Sequence, residues 1–290
     1  MRLNRARYYR RRERGVALAT LVLLLGVAHS SRAHASEQPL WEFGLGLGAV
    51  VFNDYRGASA MHALPLPVPY FTYNGPILRA DRDGLHGRFL DQRYVEFDLS
   101  ANATAPVFSR SSAPRHGMPN LDTTVELGPS LIAHLWRADE ERLRLDLRAP
   151  VRNAITIASP PRSIGWVFAP NLSLDYRPQG RAAGWNLGVL SGPLYAQRRY
   201  HEYFYGVAPQ YATAERPAYQ APGGYAGTQL LFALSRRYPN YWIGAYVRHD
   251  WLQAAVFSDS PLVQQRSYWA GGLAIVWMIR ASSRMVDSDD

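Results

Sequence analysis

The stretch "WEFGLGLGAVVF", residues 41–52, alternates between two kinds of side chain. The odd positions, from Trp41 to Val51, are all apolar, whereas the even positions from Glu42 to Gly48 are one acid and three glycines. Side chains two residues apart share a face of a β-strand but not a face of a helix. The stretch therefore predicts a strand with one apolar face and one face of small or polar residues.

The same period of two recurs along most of the chain. In "RLRLDLRAPV" (142–151), leucines at odd positions alternate with Arg144, Asp146 and Arg148. Reading each such segment as a strand predicts about twelve strands, and ten to fourteen are compatible with the pattern. The predicted strands are 41–52, 64–73, 76–88, 94–104, 122–135, 142–152, 163–176, 184–195, 197–207, 224–235, 241–251 and 266–279.

A chain of alternating strands is either soluble, with its apolar face packed inward, or an outer-membrane barrel, with that face turned to lipid. Most of the predicted segments run to ten to fourteen residues. Soluble strands average about 5–6 residues and tilted transmembrane strands about 9–11. Tryptophan and tyrosine lie near segment ends, as in an aromatic girdle; examples are Trp41, Tyr176 and Trp277. The sequence therefore predicts an all-β fold, a transmembrane antiparallel β-barrel.

Residues 1–35 have the pattern of a secretory signal peptide. An arginine-rich start precedes the 13 apolar residues "VALATLVLLLGVA" (16–28), and "AHA" (33–35) is a small-x-small cleavage site. A run this short is well below the ~20 residues that a membrane helix needs. We expect export, cleavage near Ala35–Ser36 and localisation in the cell outer membrane. Residues 36–290 then form one barrel domain, with 280–290 as a short C-terminal extension.

The positive charge of the chain lies mostly in this leader. The full sequence has a net charge of +9, and residues 1–35 hold eight Arg against one Glu, which leaves +2 for residues 36–290. A nucleic-acid partner therefore has little support. The chain contains no cysteine, which excludes thiol catalysis, disulfides and a cysteine-linked lipid anchor.

Motifs that carry chemistry are incomplete. "GLGLGA" (44–49) satisfies a loose dinucleotide pattern, but its glycines lie inside a strand rather than before a helix. "HEYFY" (201–205) begins like a zinc-protease motif, yet Tyr205 stands where the second His is needed. We therefore expect no cofactor, no metal and no enzyme activity. An outer-membrane hydrolase assembled across strands is the least favoured alternative.

A charged segment, "RADRDGLHGR" (79–88), follows the proline-rich strand. Arg79, Asp81 and Asp83 share one face of the predicted strand 76–88. We expect them to form an ion-paired set in the barrel lumen, with a bend at Asp83–Gly84.

An aromatic cluster contains Tyr200, Tyr203, Phe204 and Tyr205. It is open to two interpretations: a platform that binds a sugar or a protein partner, or girdle and loop packing of the kind that barrels commonly have.

Pro65, Pro67 and Pro69 alternate along the predicted strand 64–73. Residues two apart in an antiparallel strand direct their N–H groups at the same neighbour. Three prolines therefore remove donors from one edge and leave the other edge intact. This pattern predicts a weak seam on one side of the strand.

The order of several segments resembles the MltA-interacting protein (MipA/OmpV) family of Gram-negative outer-membrane proteins. They are "GLGLGAVVFNDYRGA", "LPLPVPYFTYNG", "LRADRDGL", "MPNLDTTVELGPSL", "YFYGV", "RPAYQAPGGYAG" and "DSPLV". The resemblance implies a barrel embedded in outer-membrane lipid. It also implies a scaffold that links two periplasmic murein enzymes, a lytic transglycosylase and a murein synthase. The alternative function is a small outer-membrane channel or porin.

Overall fold

The computed structural model describes residues 38–74, 78–81, 84–87, 95–138 and 142–286. Within these ranges, single turns of 3-10 helix lie at Ala113–Arg115, Gly180–Ala182 and Pro209–Tyr211, and the α-helix is α1 (Arg198–Tyr205). No helix among the described residues is long and apolar enough to cross a membrane. The strands are β1 (Gln38–Pro39), β2 (Trp41–Asn53), β3 (Met61–Asn74), β4 (Leu78–Asp81), β5 (Gly84–Gly87), β6 (Val95–Thr104), β7 (Thr124–Ala138), β8 (Leu143–Thr156), β9 (Ser163–Phe168), β10 (Asn171–Tyr176), β11 (Trp185–Ala196), β12 (Gly224–Arg237), β13 (Tyr241–Trp251), β14 (Ser267–Ala281) and β15 (Met285–Val286).

The strands from β2 to β14 form one antiparallel sheet that closes on itself. β14 pairs with β2, which brings the first and last long strands together. β9 and β10 both lie between β8 and β11, so they act as one strand that is interrupted at Ala169–Pro170. Counted in this way, the described residues form a closed barrel of twelve strands. The predicted all-β antiparallel barrel and its strand number are confirmed.

Two of the predicted strands are wrong in detail, and they offset each other in the count. The predicted strand 76–88 is two short strands, β4 and β5, which pair with each other. The predicted strand 197–207 is instead occupied mainly by helix α1. The buried residues of α1 are His201, Phe204 and Tyr205. Their spacing of three and four residues is helical, and this signal was present in the sequence.

Burial in the barrel is the reverse of that in a soluble protein. On β2, Leu45 and Leu47 are 48% and 64% exposed, whereas Gly46 and Gly48 between them are buried. β10 shows the same alternation, with exposed leucines and buried Ser173 and Asp175. An apolar exterior and a polar interior match a barrel that is surrounded by lipid.

One side of the lumen is apolar and tightly packed. An alanine at position 46 would place its Cβ 2.1 Å from the carbonyl oxygen of Ile275 on β14, so only glycine allows the two backbones to approach this closely. Beside this contact the inner faces of β2, β3, β13 and β14 form an apolar cluster, which consists of Val50, Leu66, Val68, Tyr70, Trp242, Ala274 and Val276.

The two ends of the barrel differ. The longest connections, 105–123, 197–223 and 252–266, all leave the same end. At the opposite end β1 pairs with β15 beside the first and last barrel strands, and we call this the terminal end. Outer-membrane barrels have short periplasmic turns and longer external loops. The terminal end therefore faces the periplasm.

The three prolines of β3 all point their nitrogen atoms the same way. β3 pairs with β2 without interruption from Met61 to Tyr73. Since proline has no N–H, the hydrogen bonds to β2 come from the residues between Pro65, Pro67 and Pro69. The proline nitrogens therefore face the edge that β4 joins only at Tyr73 and Asn74. The weak seam stays a prediction, and this register assigns it to the β4 side.

Leu47 tests which face of the wall contacts lipid, because it lies at the middle of β2 and is 64% exposed. We expect Leu47→Arg to lower the free energy of unfolding in lipid vesicles by about 2–4 kcal/mol, since the charge enters hydrocarbon. Denaturant titration followed by tryptophan fluorescence measures the loss. Leu47→Met, which stays apolar, is the control. Equal stability of the two variants would contradict the outward orientation of Leu47.

Candidate functional site

The polar half of the lumen is organised by buried ion pairs. Arg152 of β8 donates through Nε to Glu126 of β7 at 3.0 Å. Glu126 also accepts a hydrogen bond of 2.9 Å from the hydroxyl of Tyr200 on helix α1. One carboxylate thus joins two wall strands to the helix, and its ionised form has the partners that a buried charge requires.

A second buried carboxylate, Asp250 of β13, is held by two guanidiniums. Arg248 approaches its Oδ2 at 2.7 Å, and Arg56, from the loop between β2 and β3, approaches Oδ1 at 3.0 Å. Arg56 also donates to the carbonyl of Ala226 at 2.8 Å. Burial by itself lowers the pKa of Arg56, but Asp250 together with the nearby hydroxyls of Tyr268, Tyr205 and Tyr200 outweighs burial, so the pKa is raised and the guanidinium stays charged.

A third buried carboxylate, Asp146 of β8, lies nearer the terminal end. His134 of β7 contacts it through Nδ1 at 2.8 Å, and Arg144 approaches its other oxygen at 3.1 Å. Asp146 therefore keeps a polar partner if either His134 or Arg144 is removed.

The two members of each pair are unequally exposed. The side chains of Glu126, Asp146 and Asp250 are each only 1% exposed. Their arginine partners keep more surface, 10% for Arg152 and 20% for Arg248. The carboxylates lie behind the guanidiniums, so the charged surface that these pairs present to the lumen is positive.

A packed cap closes the end of the barrel opposite the terminal end. We use the name cap for the connections 54–60, 105–123, 197–223 and 252–266; the connection 197–223 contains α1. Within the cap, Tyr205 stacks on Phe257 with ring centroids 3.7 Å apart. The buried core that these connections share with nearby strand ends consists of Tyr55, Ala58, Val107, Leu121, Ala154, Ile164, Phe204, Tyr205, Val207, Ala221, Ala226, Leu252, Ala255, Phe257, Leu262 and Tyr268.

Hydrogen bonds between connections hold the cap together. Tyr205 donates through its hydroxyl to the carbonyl of Arg56 at 3.0 Å, and Ser260 donates to the carbonyl of Tyr205 at 2.8 Å. Arg216 donates to the carbonyls of Pro114 and His116 at 3.0 and 2.9 Å. Three separate connections are thereby linked to the segment that contains α1.

His201 lies inside the cap with no exposed surface. Its Nδ1 hydrogen-bonds the carbonyl of Pro222 at 2.6 Å, and its ring packs edge-on against Phe257 at 4.7 Å. Because a carbonyl only accepts, Nδ1 carries the proton of the neutral ring. Burial lowers the pKa of His201; the Pro222 hydrogen bond partly offsets this, and the charge of Arg56 lowers the pKa further.

A cavity of about 290 Å³ lies between the cap and the lumen wall. Arg148 and Arg152 of β8 line one side, and Arg248 of β13 lines another. Tyr200 and Phe204 of α1 border it from the cap. The wall between β8 and β13 is largely apolar along the cavity and is formed by Val167, Ala169, Leu190, Leu194, Ala196, Ala226 and Leu231, with Asn171 and Gln229 as polar exceptions.

The predicted lumen set falls largely outside the described part of the structure. Asp83 is not among the described residues. Arg79 and Asp81 lie on β4, where Arg79 pairs in register with His86, but their side chains are outside the description. Ion pairing among these three residues stays a prediction.

The predicted aromatic cluster is divided by helix α1. Phe204 and Tyr205 are buried in the cap core, whereas Tyr200 and Tyr203 keep part of their surface. Tyr203 accepts a hydrogen bond of 2.7 Å from the backbone N–H of Asp122. The structure thus brings the four rings into one packed region, and their use as a binding platform stays a prediction.

Sequence reasoning missed the residues that build the cavity. Arg152 and Arg248 occupy inward positions of alternating strands, and this signal was visible in the sequence. Asp250 lies two residues from Arg248 on the same face of β13, so this pair was visible too. The pairs of Arg152 with Glu126, across 26 residues, and of Arg56 with Asp250, across 194 residues, were not identifiable from the sequence.

The lowered pKa of His201 makes the cap sensitive to acid. An opened cap returns this pKa to about 6.5, so it binds more protons than the closed cap. The stabilisation is complete above that pH and is lost as the pH falls through the lowered pKa. After correction for intrinsic rates, we expect the amides of α1 to exchange hydrogen several-fold faster at pH 5 than at pH 7.

His201→Gln is the matched variant for this measurement, because it keeps a donor for Pro222 but does not titrate. Exchange in α1 should then be the same at both pH values. A pH response equal to that of the unaltered protein would show that another group is responsible.

Comparisons with known proteins agree with this architecture. The family model described as MltA-interacting protein MipA matches residues 45–279. Outer membrane protein OmpV of Vibrio cholerae serotype O1 is 28% identical over 95 residues, which cover 32% of this chain and 35% of OmpV. The matched part thus spans only about a third of that relative.

Several solved barrels share little sequence with this chain. OprG from Pseudomonas aeruginosa is 8% identical with a TM-score of 0.22, over 85% of this chain and 96% of OprG. The toluene transporters TodX of P. putida and TbuX of Ralstonia pickettii are 12% and 11% identical, with TM-scores of 0.26 and 0.23. Their matches cover 92% of this chain in both cases and 70% and 73% of the transporters. Similarity this low does not bear on the function of this chain.

The family match is of a different kind, because it extends over most of the chain, from the middle of β2 almost to the end of β14. The matched residues contain nearly all of the closed barrel and its apolar outer surface. This chain belongs to the MltA-interacting protein MipA family and is an outer-membrane β-barrel protein.

Proposed function

We propose that this protein is a non-enzymatic scaffold of the outer membrane that recruits murein-remodelling enzymes, a lytic transglycosylase and a murein synthase, at its periplasmic end. The observation that carries the proposal is the family match over residues 45–279, since the family description names an interaction with MltA, a lytic transglycosylase. A barrel that is fixed in the outer membrane and binds such enzymes would hold them next to the murein layer.

The cap supports a scaffold more than an open pore. Its buried aromatic core and the Tyr200–Glu126 contact fill the outer end of the lumen with side chains. Small barrels are often filled in this way, whereas porins keep a water channel. The terminal end is therefore the surface that we assign to recruitment.

The terminal end is rich in arginine. Arg237 pairs with Glu42 at 2.8 Å and Arg236 lies over the ring of Tyr238 at 4.8 Å, so part of this charge is held in place by the barrel rim. A basic rim favours acidic partner surfaces and speeds their association. The arginines of the described turns and strand ends here are Arg137, Arg142, Arg177, Arg181, Arg236, Arg237, Arg280 and Arg284.

A serine–histidine pair on the outside of the barrel is relevant to whether this protein is an enzyme. Ser267 and His249 Nε2 lie 2.8 Å apart. The His249 ring is enclosed by Trp251 and Trp269, at 4.0 and 4.4 Å, and its Nδ1 is buried without a hydrogen-bond partner among the described residues. A catalytic serine needs a base that a third group orients. Within the described part of the chain this pair has no such group, which supports a non-enzymatic function.

Crosslinking in intact envelopes tests recruitment. We expect a lytic transglycosylase and a murein synthase in the crosslinked fraction. The triple variant Arg181→Glu, Arg280→Glu and Arg284→Glu, which reverses exposed charges at the terminal end, should reduce their recovery several-fold. The matched control, Arg110→Glu with Arg199→Glu, changes exposed arginines at the capped end and should leave recovery unchanged. Absence of both enzymes from the unaltered protein's crosslinks would refute the proposal.

Labelling with a fluorophosphonate probe tests the serine directly. We expect no covalent adduct on the folded protein in detergent micelles, because the Ser267 hydroxyl lacks an oriented base. The Ser267→Ala variant is the control. An adduct that forms on the unaltered protein and disappears in this variant would show a reactive serine and remove the non-enzymatic part of the proposal.

A further inference from the structure

We propose that the cavity beneath the cap is a binding site for a small amphipathic anion, of which a medium-chain carboxylate is the simplest example. The site lies inside the barrel and is separate from the terminal end to which recruitment is assigned. The two proposals therefore stand or fall independently.

The guanidinium groups that line the cavity keep more surface than the carboxylates. The lining contains four arginines, Arg56, Arg148, Arg152 and Arg248, and four acids, Asp54, Asp98, Glu126 and Asp250. The side chain of Asp54 is 8% exposed and Asp98 is 5% exposed. Glu126 and Asp250 line the cavity with side chains that are only 1% exposed, because their arginine partners cover them. The side chains of Arg56 and Arg248 keep 21% and 20% of their surface. A molecule inside the cavity therefore meets guanidinium groups before it meets carboxylates.

Guanidinium groups recognise a particular chemistry. Their planar fork of N–H donors matches a carboxylate or a phosphate with two parallel hydrogen bonds. A ligand cation would have to reach Asp250 behind Arg56 and Arg248, whose contacts of 3.0 and 2.7 Å leave little access. The other two acids of the lining also have partners: Asp98 accepts a hydrogen bond from the backbone N–H of Leu99 at 2.6 Å, and Asp54 contacts His62 at 2.6 Å. The arrangement therefore selects an anionic head group.

The apolar wall between the arginines favours a ligand that has a hydrocarbon part next to its charged head group. Val167, Leu190, Leu194 and Leu231 line the cavity from β9, β11 and β12, between the arginines of β8 and β13. The inner face of a membrane barrel is normally polar. Here it has two apolar regions among the described residues, and this one borders the cavity, whereas the cluster on β2, β3, β13 and β14 is tightly packed. A short hydrocarbon chain would cover this wall while its head group contacts Arg248 or Arg152.

The size of the cavity limits the ligand to a small molecule. Its volume of about 290 Å³ lies at the lower end of the range for ligand pockets, roughly 300–1,000 Å³. A phospholipid with two acyl chains is much larger than this space. The source of the anion is therefore a free single-chain amphiphile rather than a membrane lipid.

Isothermal titration of the purified full-length barrel in dodecyl maltoside tests the site, with sodium octanoate as the probe. Two comparators separate the parts of the ligand: acetate has the charge without the chain, and octanol has the chain without the charge. We expect octanoate to saturate at one molecule per barrel and both comparators to bind at least tenfold more weakly.

Arg248→Gln and Arg144→Gln form a matched pair of variants. Arg248→Gln removes one of the two basic partners of Asp250 and leaves Arg56 in place. Arg144→Gln removes one of the two basic partners of Asp146 and leaves His134 in place. Only Arg248 lines the cavity. We expect Arg248→Gln to weaken octanoate binding at least tenfold and Arg144→Gln to change it by less than twofold.

Three outcomes would overturn the proposal. They are the absence of saturable octanoate binding, octanol binding as tightly as octanoate, and equal weakening in the two arginine variants. Heat-dependent gel mobility checks that each variant is folded. If Arg248→Gln fails to fold, the comparison of octanoate with acetate and octanol on the unaltered protein decides the matter.

Discussion

A strand that crosses a bilayer must pair on both edges, because hydrocarbon offers its N–H and C=O groups no partner. That requirement is met along most of the wall by closure: β14 pairs with β2, while β9 and β10 together bridge β8 and β11. The exception among the described strands is the proline edge of β3, which β4 joins only at Tyr73 and Asn74. Closure gives each wall strand an outward and an inward face. The exposed leucines of the outer wall and the buried polar residues of the lumen are both consequences of it.

The same closure creates an interior in which charge has to be compensated. Removing one member of a buried pair leaves an isolated charge at high energetic cost, so the pairs between different segments also hold those segments together. Glu126 connects β7, β8 and α1, and Asp250 connects β13 to the loop after β2. The cap is therefore fixed to the wall by charge as well as by its aromatic core. Beside the apolar wall, the guanidinium groups of these pairs keep more surface than their carboxylates.

The two ends of the barrel present different surfaces. Long connections at one end fold into the cap, where Tyr205 and Phe257 stack in a buried core. Short turns at the other end leave arginines and the β1–β15 pair facing the periplasm. The recruitment proposed above is assigned to the basic periplasmic end, because the cap fills the outer end with side chains.

The sequence by itself determined the barrel and its outward leucines, because a side-chain period of two is local and survives any tertiary arrangement. The predicted number of strands agrees because one predicted strand is two strands and another is mainly a helix. The sequence could also have revealed α1, whose His201, Phe204 and Tyr205 have helical spacing. Only the tertiary structure decided that β4 and β5 replace one strand, that Arg56 reaches Asp250, and that four connections share a core with a cavity beneath it. These features depend on which distant segments meet, and that is set by closure of the whole sheet rather than by the pattern of any one strand.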